Sequence, residues 1–360
     1  MNSALSTLKE WINPNWGRQR IVPPLETGLR PNLRLDEGDE LLSEAGYAPD
    51  SVVVTPSDAV IFSSNNQVLR IGAGRIVEVL AQFDGRVSAL DLHNGELFTA
   101  VEGIGLVRIS MSGEVQDVCT DAAVTTCVTD IACTSDGKVL VAVGSTALPK
   151  ARWSHALLTT DRSGLIVEVS GSRATIVADK LAWPAGIVIT PEGQVLISMN
   201  LENRVEMRPR DALSITGRTM VANLPVYPGR MCLADDGYWF AGPFIRNRVT
   251  EMILDEPQLL AEMISSIDPD EWFVPRLQAS NPFTDTMQMG QLRVHGVIKS
   301  WAPARSCGLA FRMDRSGRVV ESVQSRVDSP RHGVTGVAMY HGELIAAVRG
   351  YGNLLFVKNT

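Results

Sequence analysis

Residues 131–143 read IACTSDGKVLVAV: an apolar run, a tight polar turn carrying Asp136-Gly137, and a second apolar run. That order is the signature of two strands paired as a hairpin, because the polar turn doubles the chain back and lays one apolar run beside the other. The same pattern recurs at Val52–Phe62, Ala89–Ala100, Ile187–Met199, Met231–Gly242 and Val337–Val348. Their turns carry Ser57-Asp58, Asn94-Gly95, Glu192-Gly193, Asp236-Gly237 and His341-Gly342. From turn to turn the steps are 37, 42, 56, 44 and 105 residues, and four of the five lie near the length of one four-stranded propeller blade. Second pairs of strand-like runs lie between the hairpins, at Gln67–Leu80, Leu106–Val118, Leu165–Val177, Arg204–Val221 and Leu309–Val323.

The repeat predicts an all-β chain: a six-bladed β-propeller over residues 31–360, preceded by an N-terminal extension at 1–30. A short strand in Asn353–Lys358 is expected to pair with N-terminal chain and close the ring, which removes exposed sheet edges. The long last step predicts an insertion at 255–306, helix-like near Leu259–Ile264, forming a lid-like segment over the channel mouth.

Composition narrows the function classes. A chain of 360 residues with 45% apolar and 20% charged residues can bury a large core, and is neither disordered nor fibrous. Its 33 Lys and Arg against 40 Asp and Glu give a formal charge of −7, the wrong sign for binding nucleic acid or an acidic membrane face. Without a long apolar run or a basic-then-apolar N-terminus, a soluble cytoplasmic protein is expected. Five cysteines at irregular spacing, with no Cys-x-x-Cys pair, predict reduced thiols rather than a zinc site or disulfide framework. No His-Glu-x-x-His, Gly-x-Ser-x-Gly, Walker loop or complete dinucleotide fingerprint occurs, so no cofactor is expected.

In a propeller the innermost strand of each blade starts at the rim of the central channel. Counting back eight residues from each turn gives Asp50, Val87, Thr129, Ala185, Gly229 and Val334, followed directly by Ser51, Ser88, Asp130, Gly186, Arg230 and Thr335. Alternation sends neighbours to opposite faces, so one residue of each pair is expected to face the channel.

Several rim segments carry a resemblance. Ala48-Pro49-Asp50-Ser51, Thr129-Asp130-Ile131, Trp183-Pro184-Ala185-Gly186, the run from Leu224 to Arg230, the run from Gly308 to Asp314 and Gly333-Val334-Thr335-Gly336-Val337 resemble, in order and spacing, the blade signatures of strictosidine synthase-like proteins. Those group with gluconolactonase/regucalcin and paraoxonase six-bladed propellers, and the resemblance covers roughly Pro31 to Val357. It implies a channel-mouth site, and its departures imply a changed one. Where metal-dependent members hold an ion with one Glu and several Asn or Asp, only Asp50 keeps a carboxylate; Thr129, Ala185, Gly229 and Arg230 replace the rest. An oxygen-ligated calcium ion is disfavoured by a guanidinium in its site. The acid/base glutamate of strictosidine synthase aligns with Thr335, which cannot do that work at neutral pH.

The candidate catalytic residues are therefore Asp50, Arg230 and His332, the last lying just before an inner strand. Asp50 could instead cap a turn, and Arg230 could serve as a structural partner of Asp50 or Asp130. Candidate substrate-binding residues are Thr129, Asp130, Trp183, Tyr227 and Thr335, with Trp272, Phe273 and Trp301 as further members of an aromatic collar. The expected partner is a small molecule. One reading is a metal-independent lactone or ester hydrolase, with Arg230 stabilising the oxyanion. The others are an acid/base cyclase, isomerase or lyase on the same scaffold, and a non-catalytic propeller that binds a metabolite or protein.

Overall fold

The polar turns close the hairpins in two ways. Around Asp136-Gly137 a five-residue loop is held by the Thr134 N–H donating to Lys138 O at 2.8 Å and the Gly137 N–H donating to Thr134 O at 3.0 Å. Gly137 has φ +80°, a conformation that side chains other than Asn or Asp rarely adopt, and Asp58 takes φ +65° at the equivalent point of the first hairpin. Asn94-Gly95 and His341-Gly342 instead have two consecutive positive φ values and form two-residue turns between His93 and Glu96 and between Tyr340 and Glu343. Such turns match the twist of the strands they join.

The computed structural model describes residues 29–42, 46–72, 75–278, 293–294, 297–298, 306–326 and 329–358. They form a six-bladed β-propeller, each blade a four-stranded antiparallel sheet. The inner strands are Pro49–Val54, Val87–His93, Val128–Cys133, Pro184–Ile189, Met231–Ala234 and Val334–Tyr340, for blades one to six in chain order. The sixth blade takes its outer strand from the other end of the chain: Asp39–Leu42 pairs with Asn353–Val357, Asp39 opposite Phe356 and Leu42 opposite Leu354. Ring closure thus occurs as the sequence predicts. The core lies between blades, where apolar side chains of adjacent sheets interlock. Phe62, Leu69, Ile345 and Leu354 fill the seam between blades one and six, and each such burial contributes about 1.5–3 kcal/mol.

Five of the six inner strands carry an irregularity at the rim, the strand of blade five being regular. In blade three Val128 pairs with Val143 and Asp130 with Ala142, so Thr129 bulges out of register; Ser88, Ala185 and Thr335 do the same in their blades. Counting back eight finds the bulged residue in the five-residue-loop hairpins but overshoots in the two whose two-residue turns are Asn94-Gly95 and His341-Gly342. Val87 and Val334 are fully buried between blades, and the rim positions there are Ser88 and Thr335.

Two excursions leave the blades on the rim side. The first joins the second and third strands of blade three through a 3-10 turn at Lys150–Arg152 and helix α1, Trp153–Leu158. The second, in blade five, contains Phe244–Ile245, which pairs with Val226–Tyr227, then α2, Arg248–Leu254, and α3, Pro257–Ser266. The helix-like reading of Leu259–Ile264 falls inside α3. Trp153, Leu157, Trp183, Tyr227, Ile253 and Trp272 belong to one apolar cluster that joins the two excursions. Within the predicted insertion at 255–306, residues 279–292, 295–296 and 299–305, Trp301 among them, lie outside the described residues, as do residues 1–28 of the predicted extension at 1–30.

Candidate functional site

Because second strands run antiparallel to inner strands, each brings the chain back to the rim where the inner strand began. The two excursions therefore rise from the same rim, and between them lies a cavity of about 480 Å³. Its lining falls into two arcs. Asp50, Arg86, Lys150 and Arg349 belong to one; Trp153, Trp183, Ala185, Pro243, Phe244 and Val274 make the other apolar.

Arg230 starts in blade five and reaches across the channel. Its Nη1 donates to Asp50 Oδ1, Asp50 O and Thr335 O, each at 3.0 Å, and its Nη2 donates to Ser88 O. One guanidinium thus ties blade five to blades one, two and six. The approach needs a bare backbone beside it: a Cβ on Gly186 would stand 2.8 Å from Arg230 Cα, and one on Gly336 would stand 2.5 Å from Asp50 O. Arg230 lines this cavity and also a second one of about 370 Å³ on the far side, so its side chain divides the channel.

Asp50 is buried, at 2% exposure, and is the hub of the cationic arc. Its Oδ2 accepts from Lys150 Nζ at 3.0 Å and from Arg349 Nη1 at 3.4 Å, and lies 3.6 Å from Arg86 Nη2. Burial by itself would raise its pKa, but Arg230, Lys150 and Arg349 outweigh that and hold it well below the usual carboxylate range. Asp50 is therefore a permanent anion and a poor base. Lys150 also donates to Ser88 O at 2.9 Å. Burial, then the Arg230 charge, pushes its ammonium pKa down, against the opposing pull of Asp50.

The other sequence-predicted residues divide. Thr129, Trp183 and Thr335 line the cavity with Asp50 and Arg230. Both threonine hydroxyls are engaged with backbone carbonyls, Thr129 with Ala142 and Pro184, Thr335 with Asp50. Asp130 instead faces the far cavity, where its Oδ2 accepts from Ile187 N–H at 3.0 Å. Burial raises its pKa to about 7 despite the Arg230 charge. Tyr227 lies behind the wall: its hydroxyl donates to Glu251 Oε1 at 2.9 Å and its ring packs edge-on against Trp153. His332 is 1% exposed and outside the cavity lining. Its Nδ1 faces Ser306 Oγ at 2.9 Å and its Nε2 faces Arg326 O at 2.8 Å, so both ring nitrogens are engaged in holding loops.

Sequence reasoning missed Lys150, Arg86, Arg349, Trp153 and Asn200. Arg349 and Asn200 directly follow second strands, at the point where the chain returns to the rim, so that counting could have been extended to them. Asn200 accepts from Trp153 Nε1 at 2.7 Å and donates to Pro228 O at 2.9 Å, fixing the aromatic arc to the rim. Nothing in the sequence signals Lys150 or Trp153, which sit in a loop that only the fold places over the channel.

No family model matches the chain, and no curated protein does. Comparison with solved structures is informative about the ring. The chain shares its fold with a gluconolactonase and with regucalcin. The gluconolactonase, from Xanthomonas campestris, superposes with a TM-score of 0.56 at 11% identity, covering 88% of this chain and 87% of that one. Regucalcin from Agrobacterium tumefaciens, described as a calcium-binding protein, gives 0.56 at 12% identity, covering 89% and 92%. At such identities the likeness concerns the fold.

Calcium would need roughly six to eight oxygen ligands. On the axis of this propeller the carbonyls of Asp50, Ser88 and Thr335 already accept from Arg230, Asp50 is shared among four cationic side chains, and Asp130 Oδ1 lies 3.5 Å from Arg230 Nε on the far side. Among the described residues no group of three His, Cys, Asp or Glu side chains converges. This donor set fits a guanidinium and does not fit a divalent ion.

Proposed function

We propose that the protein is a hydrolase of small lactones or esters that works at the rim cavity without a metal ion. The observation that carries the reading is Lys150. Its two hydrogen bonds, to Asp50 Oδ2 and Ser88 O, are the two that a neutral amine can donate, which leaves the lone pair for the cavity that the residue lines. A depressed pKa makes that neutral form accessible nearer to neutrality.

In the proposed reaction the amine takes a proton from a water molecule as the water oxygen bonds to the substrate carbonyl carbon. The carbonyl electron pair moves onto oxygen, and Arg349 stabilises the oxyanion in place of a Lewis acid. Collapse breaks the bond to the ring or ester oxygen, and the Lys150 ammonium returns its proton to the departing alkoxide. Asp50 stays ionised throughout, orienting Lys150 and Arg349, while Arg230 holds Asp50 in place. The fold likeness to a gluconolactonase supports the reaction class without establishing it.

The test is a panel of lactones and esters assayed with and without a chelator, using the wild type, Lys150→Met and Lys150→Arg. Chelator-insensitive hydrolysis, reduced about 10²- to 10⁴-fold in both variants, is the expected result. Absence of hydrolysis across the panel, or full turnover in Lys150→Met, would overturn the reading. Loss of activity on chelation would overturn its metal-free part.

A further inference from the structure

The rim cavity carries more positive charge than its own residues neutralise. Among the described residues Arg86 has a single charged neighbour, Asp50 Oδ2 at 3.6 Å, and no side-chain hydrogen bond; Arg349 has one, at 3.4 Å to the same oxygen. Both side chains are largely buried, at 23% and 20% exposure, so water replaces the missing partners only in part. Asp50 is already taken by Arg230 and Lys150 at 3.0 Å each, and cannot also neutralise two further guanidinium groups. Half-buried Glu102 stands near Lys150 and Asp50 without lining the cavity; even with Lys150 neutral, the three guanidinium groups of Arg86, Arg230 and Arg349 in the lining exceed the two carboxylates of Asp50 and Glu102. Arg276, also in the lining, is tied to the carbonyls of Pro269 and Asp270 and lies 3.9 Å from the Asp270 carboxylate, so it is not counted in the surplus.

The opposite arc has the contrary character. Trp153 and Phe244 stack with ring centroids 3.9 Å apart, and with Trp183, Ala185, Pro243 and Val274 they offer a continuous apolar wall. The Trp153 N–H is already bonded to Asn200, so this wall presents mainly carbon. A cavity with unneutralised guanidinium groups on one side and aromatic carbon on the other selects for a ligand with the complementary division.

We propose that the substrate is an anion with an apolar body: a carboxylate- or phosphate-bearing small molecule whose charged group is held by Arg86, with Arg349 alongside, and whose body lies against Trp153 and Phe244. The proposal rests on the hydrolase reading only for the word substrate. The charge pattern itself predicts binding, whatever reaction follows.

Binding is therefore the test. Calorimetric titration of the full chain would use phenylacetate, phenylacetamide, phenyl phosphate and acetate as probes, with the wild type and with Arg86→Met. The expected result is that phenylacetate or phenyl phosphate binds about tenfold or more tightly than phenylacetamide, one charge-assisted contact being the difference. The comparison of the two anions identifies the headgroup. Acetate is expected to bind more weakly than phenylacetate, and Arg86→Met to remove most of the preference for the acid over the amide.

Should Arg86→Met unfold, Arg86→Lys and the loss of phenylacetate affinity with rising salt give the same reading. Equal affinity for phenylacetate and its amide, affinity for acetate equal to that for phenylacetate, or no binding of either aromatic anion at millimolar concentration would overturn the proposal. Anion binding without hydrolysis of any ester would remove the hydrolase reading alone. Hydrolysis with no preference for acidic substrates would remove this inference alone.

Discussion

Replacing Arg230 by methionine keeps most of the side chain's length and apolar stem but deletes the guanidinium that joins four blades. The carbonyls of Asp50, Ser88 and Thr335 each lose a charged donor, and Asp50 loses its Oδ1 partner. Summing four charge-assisted bonds would overstate the effect, because Lys150 still bonds Asp50 Oδ2 and Ser88 O, and water from the cavity can reach the rest. Removing one partner of a buried ion pair costs about 3–5 kcal/mol. With an unfolding entropy of about 2.1 cal/mol/K per residue, that lowers the Tm of this 360-residue chain by about 4–7 °C. Differential scanning calorimetry at neutral pH measures the shift, with Arg230→Lys expected to recover only part of it because an ammonium cannot reach all four oxygens in one plane. Arg230 also depresses the Lys150 pKa, so the methionine variant should move the acidic limb of any pH–rate profile to higher pH. A Tm change below about 1 °C would refute the argument that Arg230 spans the ring.

Three further outcomes follow from the same geometry. If the Lys150 amine is the base, kcat/KM rises with pH through a Lys150 pKa below the ordinary lysine range and then levels, whereas a falling profile over that range would exclude it. His332→Ala should lower stability by about 1–3 kcal/mol, since the Ser306 hydroxyl and Arg326 carbonyl lose their partner, while activity per folded molecule stays unchanged; a selective loss of turnover would return His332 to the site. Asp130 has a folded pKa raised to about 7, above its unfolded value, so its contribution is fully present below about pH 4 and is lost as pH rises through 7. Urea unfolding of Asp130→Asn against wild type at pH 5 and pH 8 should show the variant losing less stability across that interval, and an identical pH dependence in both proteins would contradict the assignment.

The fold was legible because its information is local. Each hairpin is specified by a few consecutive residues, such as Thr134 to Lys138 around Gly137, and six repetitions at blade spacing leave few other architectures able to bury them. Even the closing strand could be anticipated, since Asn353–Val357 pairs with Glu343–Val348 on one edge only and its other edge needs a partner from elsewhere in the chain. The same locality explains the slip at Val87 and Val334: a two-residue turn and a five-residue loop both end near a glycine, and the shift between them becomes visible only as paired backbone.

The site was legible only in part, because its chemistry lies between segments distant in sequence. Asp50 and Arg230 could be nominated from their positions at strand starts. Their meeting across 180 residues, with the guanidinium spent on three carbonyls, depends on how the closed ring aims a side chain across its axis. Tyr227 and His332 read as site residues because the rim was near, yet burial turned the first toward Glu251 and the second toward Ser306 and Arg326. Lys150 lies in an excursion with no repeat to index it, and Arg86 and Arg349 gained their significance from competing for one carboxylate oxygen. The sequence by itself determined the strands, their turns and their number. Tertiary structure alone decided which charges share the axis, because a charge has no periodicity to read, and its effect depends on the distance and burial that ring closure imposes.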